Sequence, residues 1–298
     1  MRLVTRADLD GLTCAVLIAQ CEPIDEIQLA HPQDVTDKRL HVGDEDIIAN
    51  LPYHPGCRKW FDHHLLTQSN ERPPAEFDGR YGLAPSAARV VYEYYAASHP
   101  ELQRYEELLA ETDRLDSAQL TVEDVLDPKG YILLGFTLDP RTGLGRYGDY
   151  FKQLAEWLRD RPIDEILAEP EVALRVERMK TSDAEFRRLT SEHTRLDGNV
   201  IVTDFRALDP VPVGNRFIVY TLYVQGNISL RVHRGPSDQH VAAAVGHSIF
   251  NRTSRTNVGE LMSRYGGGGH RGAGTCLIPA DRAEEKIAEL IETMKRDG

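Results

Sequence analysis

The chain has 298 residues, of which 41% are hydrophobic and 28% charged, a composition typical of folded globular proteins. Its 47 acidic residues outnumber its 35 basic ones, and the net charge of −12 argues against a protein that coats long duplex nucleic acid. It has no apolar run of about 18 residues and no apolar signal-peptide core, so we expect a cytoplasmic protein without a membrane partner. The cysteines lack C-x-x-C spacing, which disfavours a thiolate zinc site.

Strand-like and helix-like runs alternate along the first part of the chain. Short apolar runs predict strands over residues 2–5, 26–31, 46–51 and 58–61. Apolar residues at helical spacing predict helices over residues 11–21, 84–98 and 101–115. This order indicates an α/β fold with a mostly parallel sheet flanked by helices, in which ligands bind beyond the carboxyl ends of the strands.

A long helical stretch follows, from about residue 146 to residue 196. It has one break at Arg161-Pro162 and is expected to end at Asp197-Gly198, because glycine commonly terminates helices. We interpret it as a helical connector between two domains, residues 1–190 and residues 191–298.

The last part of the chain predicts a smaller α/β domain with a mixed sheet. Strands are expected over residues 199–205, 216–225, 227–232 and 275–278, with a hairpin at Gly226-Asn227. Helices are expected over residues 240–250, over residues 258–265 and at the end of the chain.

Two carboxylates follow the first predicted strand in the run DLDG. Asp8 and Asp10 stand at i and i+2 and precede Gly11, so a turn of the chain can bring both toward one cation. The alternative is a turn in which these side chains cap the next helix.

Further polar residues stand at the ends of other predicted elements. Asn50 ends the third strand and Asp46 begins it, and an asparagine can coordinate a cation through its carbonyl oxygen without adding charge. Asp113 and Asp116 share one face of a helix end at i and i+3. The alternatives are a strand-end hydrogen bond for Asn50 and a solvated acidic helix end for the aspartates.

The run WFDHH places Asp62, His63 and His64 directly after two large aromatic residues. Neighbouring side chains of a strand point to opposite faces, but both imidazoles can lean into one cleft where the backbone turns past a strand end. The alternative is a polar loop after a buried strand.

The run GGGGHRGAG begins with four glycines, which lose more backbone entropy than an ordinary turn requires. Such a loop lets backbone N–H groups approach an anion closely, and His270 and Arg271 add donors and positive charge. We therefore favour an anion-binding loop over a flexible linker.

These motifs occur in the order found in the DHH phosphoesterase superfamily: DLDG, then FDHH, then an aspartate after two helices, then GGGGH. The chain resembles this superfamily over essentially its whole length. More narrowly, it is similar to two-domain members with a DHH-associated C-terminal domain, the exopolyphosphatase-like and oligoribonuclease-like (nanoRNase) proteins. FDHH followed by GGGGHRGAG is a specific signal, whereas D-x-D alone is not.

The resemblance implies roles for individual residues. The implied metal ligands are Asp8, Asp10, His63 and Asp113. Asp62 would orient an imidazole, and His64 would contact the scissile phosphate. The implied substrate-binding residues are Gly267, Gly268, Gly269, His270 and, by a weaker match, Arg231, with Arg271 beside them.

Two positions depart from the family pattern. Relatives commonly carry a metal-binding histidine two or four residues before the first aspartate, where this chain has Arg6 and Val4. Relatives also carry a metal-bridging aspartate at the end of the strand before DHH, where this chain has Asn50, unless Asp46 takes that role. Both departures remove ligands from the first metal position, so one or two ions are expected. Arg6 would supply a fixed positive charge toward a substrate phosphate.

The resemblance implies a metal-dependent phosphohydrolase that cleaves phosphodiester bonds of short oligonucleotides or dinucleotides from one end, using water activated by the metal. The ligand set favours Mn²⁺, with Mg²⁺ as the alternative. The second domain would close over the first and grip a terminal phosphate. The oligomeric state is open between monomer and homodimer.

Two alternatives remain open. An exopolyphosphatase or a small phosphomonoester phosphatase would use the same chemistry on a different substrate. Base stacking would distinguish nucleotides from polyphosphate, and the candidate stacking residues are Tyr81, Tyr223 and Phe250. A catalytically weakened nucleotide sensor is the other alternative, motivated by Arg6 and Asn50.

Overall fold

The structure is a computed structural model, and it describes residues 1–64, 66, 71–138, 148–235 and 239–298. These residues divide into two compact units. The first comprises residues 1–120 and 127–179, and the second residues 121–126 and 180–298. This division falls within a long helix, at residue 179, and the domain boundary at residue 190 stays a prediction.

The first unit is a five-stranded parallel sheet with helices on both faces. Its strands are β1 (Arg2–Thr5), β2 (Glu26–Leu29), β3 (Asp46–Ala49), β4 (Lys59–Asp62) and β5 (Gly79–Tyr81), in the order β2-β1-β3-β4-β5. Its helices are α1 (Leu9–Cys21), α2 (Pro32–Thr36), α3 (Ala87–Tyr95), α4 (Glu106–Asp116), α6 (Gly130–Leu138), α7 (Gly148–Trp157) and α8 (Ile163–Leu167), with a 3₁₀ turn at Pro100–Tyr105. Between α4 and α6 lies α5 (Val122–Leu126), which belongs to the second unit.

Alternate residues of the central strands pack on opposite faces of this sheet. Phe61 packs with α1 and α3 on one face, and Trp60 packs with Val35 of α2 on the other. Burial on both faces explains why the residues in the middle of these strands are consecutive apolar residues, as is typical of covered parallel strands. The sheet therefore presents its polar residues at the strand ends.

The long helix α9 (Pro170–Glu192) leads into a six-stranded mixed sheet. Its strands are β6 (Thr194–Asp197), β7 (Val200–Asp204), β8 (Ile228–Arg234), β9 (His240–His247), β10 (Gly268–His270) and β11 (Ala273–Pro279), in the order β10-β11-β9-β8-β7-β6. The remaining helices are α10 (Ile218–Leu222), α11 (Val258–Ser263) and α12 (Ala283–Asp297), with a 3₁₀ turn at Ala280–Arg282. Residues of α11 and α12 share a core with β7, β8, β9 and β11.

The predicted fold class, α/β with a mostly parallel first sheet and a mixed second sheet, is confirmed. Among the described residues, no helix is both long and apolar enough to cross a membrane. Several local predictions in the second unit were wrong.

The strand predicted over residues 216–225 is wrong, since its centre is helix α10. Its β-branched residues favour a strand, but β7 pairs directly with β8 in parallel, so the segment between them must cross over and cannot form a hairpin with β8. The hairpin lies instead between β6 and β7, where Gly198 adopts a φ of +63°. Residues 194–197 are therefore strand, and the preceding helix ends at Glu192.

The helix predicted over residues 240–250 is also wrong, because residues 240–247 form β9. Val241, Ala243 and Val245 are buried while the residues between them are less so, which is the period of a strand. Pairing with β8 on one side and β11 on the other overrides the helix propensity of the alanines. The glycine run, predicted as a loop, contributes the edge strand β10.

Gly79 gives a test of the first sheet. Its φ is +120°, and a Cβ there would lie 2.1 Å from the carbonyl oxygen of Trp60. We expect Gly79→Ala to lower the free energy of unfolding by about 1–3 kcal/mol from backbone strain alone. Urea unfolding followed by tryptophan fluorescence measures this, because Trp60 and Trp157 both lie in the first unit. Gly82→Ala is the control, since a Cβ there meets nothing within 4 Å; equal midpoints for the two variants would contradict the assigned strain.

Candidate metal and phosphate site

Three neighbouring strands, β1, β3 and β4, end at the same edge of the first sheet. Asp8 and Asp10 follow β1, Asn50 follows β3, and Asp62 is the last residue of β4. Because the strands are parallel, their carboxyl ends bring these sequence-distant residues together. Asn50 has a φ of +57°, a conformation that asparagine tolerates better than most residues.

Asp8 caps helix α1, and both of its carboxylate oxygens have partners. Oδ1 accepts hydrogen bonds from the Gly11 N–H at 2.9 Å and from Asn50 Nδ2 at 3.0 Å. Oδ2 lies 3.0 Å from Arg6 Nε. A Cβ at Gly11 would lie 2.0 Å from the carbonyl oxygen of Arg6, so the glycine of DLDG lets α1 start directly against the strand end.

Asp10 is buried, with 2% of its surface exposed. Its oxygens accept hydrogen bonds from Ala87 N at 2.9 Å and from Ala88 N at 2.7 Å, at the start of α3. Burial, reinforced by the negative charges of Asp116 and Asp8, raises the pKa of Asp10 well above its usual value, although the two N–H donors act in the opposite direction. A bound cation would remove this repulsion.

His63 faces Asp10 and Asp116. Its Nε2 lies 3.7 Å from Asp10 Oδ2 and 3.3 Å from Asp116 Oδ2, and one ligand atom from each of the three residues lies within 4.8 Å of the others. His63 Nδ1 lies 3.0 Å from the carbonyl oxygen of Ala84, so it carries the proton and leaves Nε2 as the acceptor. Within the described part of the chain, the buried Nε2 has no hydrogen-bond partner.

Asp116 ends helix α4 and completes this cluster. Burial, followed by the negative charge of Asp8, raises the pKa of Asp116 to about 6. Two carboxylates and an imidazole whose second nitrogen is fixed by a carbonyl group are a typical ligand set for a divalent cation. We conclude that the residues present fit a divalent cation.

Asp62 binds the backbone N–H of His63 and the side chain of His64. Its Oδ1 accepts from the His63 N–H at 2.9 Å and lies 2.7 Å from His64 Nδ1. Burial lowers the pKa of His64, but the hydrogen bond to Asp62 and the charges of Asp62 and Asp116 outweigh this, so that the pKa is raised overall. His64 is thus held by a carboxylate and favoured in its cationic form.

Two predicted metal ligands lie elsewhere. Asp113 binds Ser86 Oγ at 2.6 Å and Arg89 Nε at 2.9 Å, and it is absent from the cluster that Asp116 joins. Asp46 begins β3 at the opposite edge of the sheet, where its carboxylate forms a salt bridge with Arg2 at 2.6 Å. The i, i+3 spacing indicates Asp113 and Asp116 equally as candidate ligands. Only their contacts distinguish them, since Asp113 binds Ser86 and Arg89 and Asp116 lies beside His63.

The predicted substrate residues belong to the second unit. Gly268, Gly269 and His270 form β10, which pairs with β11 at the edge of the sheet, and Arg231 lies on β8. The register aligns Gly268, Thr275, Ala244 and Arg231 in one row across four strands. Leu230 and Val232, on either side of Arg231, are buried in the core, so this row lies on the opposite face of the sheet.

The glycines of this run differ in what surrounds them. A Cβ at Gly267 would lie 2.0 Å from the carbonyl oxygen of Thr275, and one at Gly269 would lie 2.2 Å from that of Ala273. A Cβ at Gly268 would meet nothing within 4 Å. Packing therefore accounts for Gly267 and Gly269 but not for Gly268.

Comparison with solved structures identifies the family. The pGpG-specific phosphodiesterase PggH from Vibrio cholerae is 41% identical, covers 100% of this chain and 99% of its own, and superposes with a TM-score of 0.85. The chain belongs to the DHH phosphoesterase superfamily. No family model matches the chain, and no curated protein matches it.

Two more distant DHH structures have the same fold. RecJ from Thermus thermophilus, solved with Mn²⁺, is 14% identical, with a TM-score of 0.60 over 99% of this chain and 52% of its own. The DHH domain of PF0399, described as a member of the s1p family of ribosomal proteins, is also 14% identical, with a TM-score of 0.59 over 99% of this chain and 86% of its own. At this identity the likeness concerns the DHH fold alone.

Asp116 and Asp113 give a direct test of the DHH metal site. We expect Asp116→Asn to weaken Mn²⁺ binding by about tenfold or more, because it removes a charged ligand from the cluster. Asp113→Asn should have a much smaller effect, because it keeps an oxygen for Ser86 and lies outside the cluster. Calorimetric titration of both variants with Mn²⁺ measures this. A larger loss in Asp113→Asn than in Asp116→Asn would reverse the assignment.

Proposed function

We propose that this chain is a metal-dependent phosphodiesterase that hydrolyses a linear dinucleotide such as pGpG. The observation that carries the proposal is the cluster of Asp10, His63 and Asp116, beside a His64 held by Asp62. The identity with a pGpG-specific phosphodiesterase over the whole chain supports the substrate class. Mn²⁺ is the preferred ion because the ligand set includes an imidazole.

Asp10, His63 and Asp116 would hold the ion, and a bound divalent cation supplies a Lewis acid for a phosphoryl oxygen and for water. His64 would donate from Nε2 to a phosphoryl oxygen, since Nδ1 is bound to Asp62. The raised pKa favours the cationic form of the imidazole, which would stabilise negative charge that grows on the phosphoryl group. Asp62 acts as a positioning residue, because it contacts His64 and the His63 backbone.

Arg6 follows the first strand and contacts Asp8, with 45% of its side chain exposed. The guanidinium has five N–H donors, so it can donate to a phosphate oxygen while Nε keeps its contact with Asp8. We propose that Arg6 contributes positive charge to phosphate binding, a role that its planar donors suit.

The face of the second sheet that carries Arg231 is the proposed phosphate-binding surface of that unit. Arg231 and Gly268 lie at the two ends of the aligned row, and Ala244 and Thr275 between them have short side chains. Three strand spacings separate the ends, about 14 Å. His270 and Arg271 follow Gly268 along the chain and add polar groups at the sheet edge.

Polyphosphate is the second candidate substrate, since the metal–phosphate chemistry is shared. Tyr81 favours a nucleotide only weakly, because one face of its ring stacks on Trp60 at 5.1 Å and its hydroxyl donates to the His64 carbonyl oxygen at 3.0 Å. A nucleotide-binding sensor without turnover is the third candidate. The cytoplasmic location and the homodimer stay predictions.

The activity is tested with pGpG, a 5′-phosphorylated dinucleotide of other bases and polyphosphate, each with Mn²⁺, Mg²⁺ or a chelator. We expect Mn²⁺-dependent release of mononucleotides, with His63→Gln reduced to the rate of the chelated enzyme.

His64→Ala should lower kcat by about 10²–10³, as expected when a group that stabilises transition-state charge is removed. His99→Ala is the matched control, because His99 is bound to Glu101 on the surface. Cleavage of polyphosphate alone, or binding of pGpG without turnover, would reject the proposal.

Gly268 separates a role in substrate binding from a role in folding. We expect Gly268→Ala to raise KM by about tenfold or more, equivalent to roughly 1.4 kcal/mol of lost contact, because a methyl group would fill the space that substrate approaches. Its melting temperature should match that of the unmodified chain, since the new Cβ meets no protein atom within 4 Å. An unchanged KM would show that β10 does not approach the substrate.

A further inference from the structure

We infer that this chain binds a single divalent cation, held by Asp10, His63 and Asp116, and that Arg6 and Asn50 replace a second cation at Asp8. The inference rests on the proposed function for the use of the ion, but its observations are the contacts around Asp8. It concerns how many ions the site takes, a property that is measured without substrate.

Asp8 is close to the cluster but is already bound by protein donors. Gly11 N and Asn50 Nδ2 contact its Oδ1 at 2.9 and 3.0 Å, and Arg6 Nε contacts its Oδ2 at 3.0 Å. A cation at Asp8 would have to displace the guanidinium or lie beside it, against its positive charge. Asp8 is therefore compensated without a metal.

Asn50 reinforces this arrangement from the next strand. It is 1% exposed, and its amide must direct Nδ2 toward Asp8, because the reverse orientation would place two oxygen atoms against each other. Among the described residues its buried Oδ1 has no hydrogen-bond partner, so it is a neutral acceptor directed away from Asp8. A neutral amide cannot offset the repulsion between two divalent ions as a shared carboxylate does.

With one ion, each carboxylate of the site has a partner. The two positive charges of the ion match the carboxylates of Asp10 and Asp116. Asp8 is bound by Arg6, and Asp62 is bound by the His63 N–H and by His64 Nδ1. A second divalent ion would add two positive charges at Asp8 or at the group of Asp62, His63 and His64, where protein donors already bind the carboxylates. Uncompensated charge in a partly buried site is strongly unfavourable.

The experiment counts ions on the full-length chain. Metal-free protein is saturated with Mn²⁺, separated from unbound metal, and analysed for Mn²⁺ per chain, while calorimetry gives the number of sites. Electron paramagnetic resonance distinguishes an isolated Mn²⁺ from an exchange-coupled pair. We expect one ion per chain with the spectrum of an isolated ion. Two ions with a coupled spectrum would overturn the inference.

Variants locate the ion and test the replacement. His63→Gln should lose the ion, whereas Asp8→Asn should keep it, with circular dichroism showing that both variants are folded. Loss of the ion in Asp8→Asn with retention in His63→Gln would overturn the assignment.

The double variant Arg6→Ala with Asn50→Asp should gain a second ion, because it removes the competing cation and supplies a bridging carboxylate. A count that stays at one would show that Arg6 and Asn50 do not set the number of ions.

The outcomes separate this inference from the proposed function. One bound Mn²⁺ without hydrolysis of pGpG would reject the function and leave the inference standing. Two bound ions with hydrolysis of pGpG would reject the inference and leave the function standing.

Discussion

The first unit depends on the buried carboxylate of Asp10. Its two oxygens bind the first N–H groups of α3, which ties the start of that helix to the end of β1, and the positive end of the helix dipole favours the negative charge. These contacts offset only part of the cost of burying a charge, because Asp116 and Asp8 add repulsion. The same group thus organises the fold and, in the proposed site, would bind the cation that offsets this repulsion.

The two histidines of the DHH motif differ in the group that binds Nδ1 of each ring. A backbone carbonyl oxygen binds His63 at Nδ1 and directs Nε2 to the carboxylates of the cluster, whereas a carboxylate binds His64 at Nδ1 and raises its pKa. The two adjacent histidines therefore lie in different electrostatic environments. The first directs Nε2 toward the carboxylates of Asp10 and Asp116, and the raised pKa of the second favours its cationic form.

Sequence patterns predicted the polar residues at the carboxyl ends of the first sheet well, because short apolar runs locate the strand ends and parallel pairing brings those ends together. They did not separate Asp113 from Asp116, since both lie on one helix face and only the positions of Arg89 and Ser86 decide which carboxylate is occupied. In the second unit, the errors arose where pairing outweighed propensity, as at the alanine-rich β9 and the β-branched α10. The glycine run was recognised as special, but its strand conformation depends on β11, which pairs with it.

Asn50 adopts a left-handed backbone conformation that aspartate also tolerates, so exchange between these two residues requires no change in the chain path. Every asparagine codon becomes an aspartate codon by one base substitution. The neutral amide that supports Asp8 is therefore one mutational step from a bridging carboxylate, on an unchanged scaffold. Metal requirement in such a protein is able to drift during evolution independently of its fold, and relatives with nearly identical backbones need not share a cofactor count.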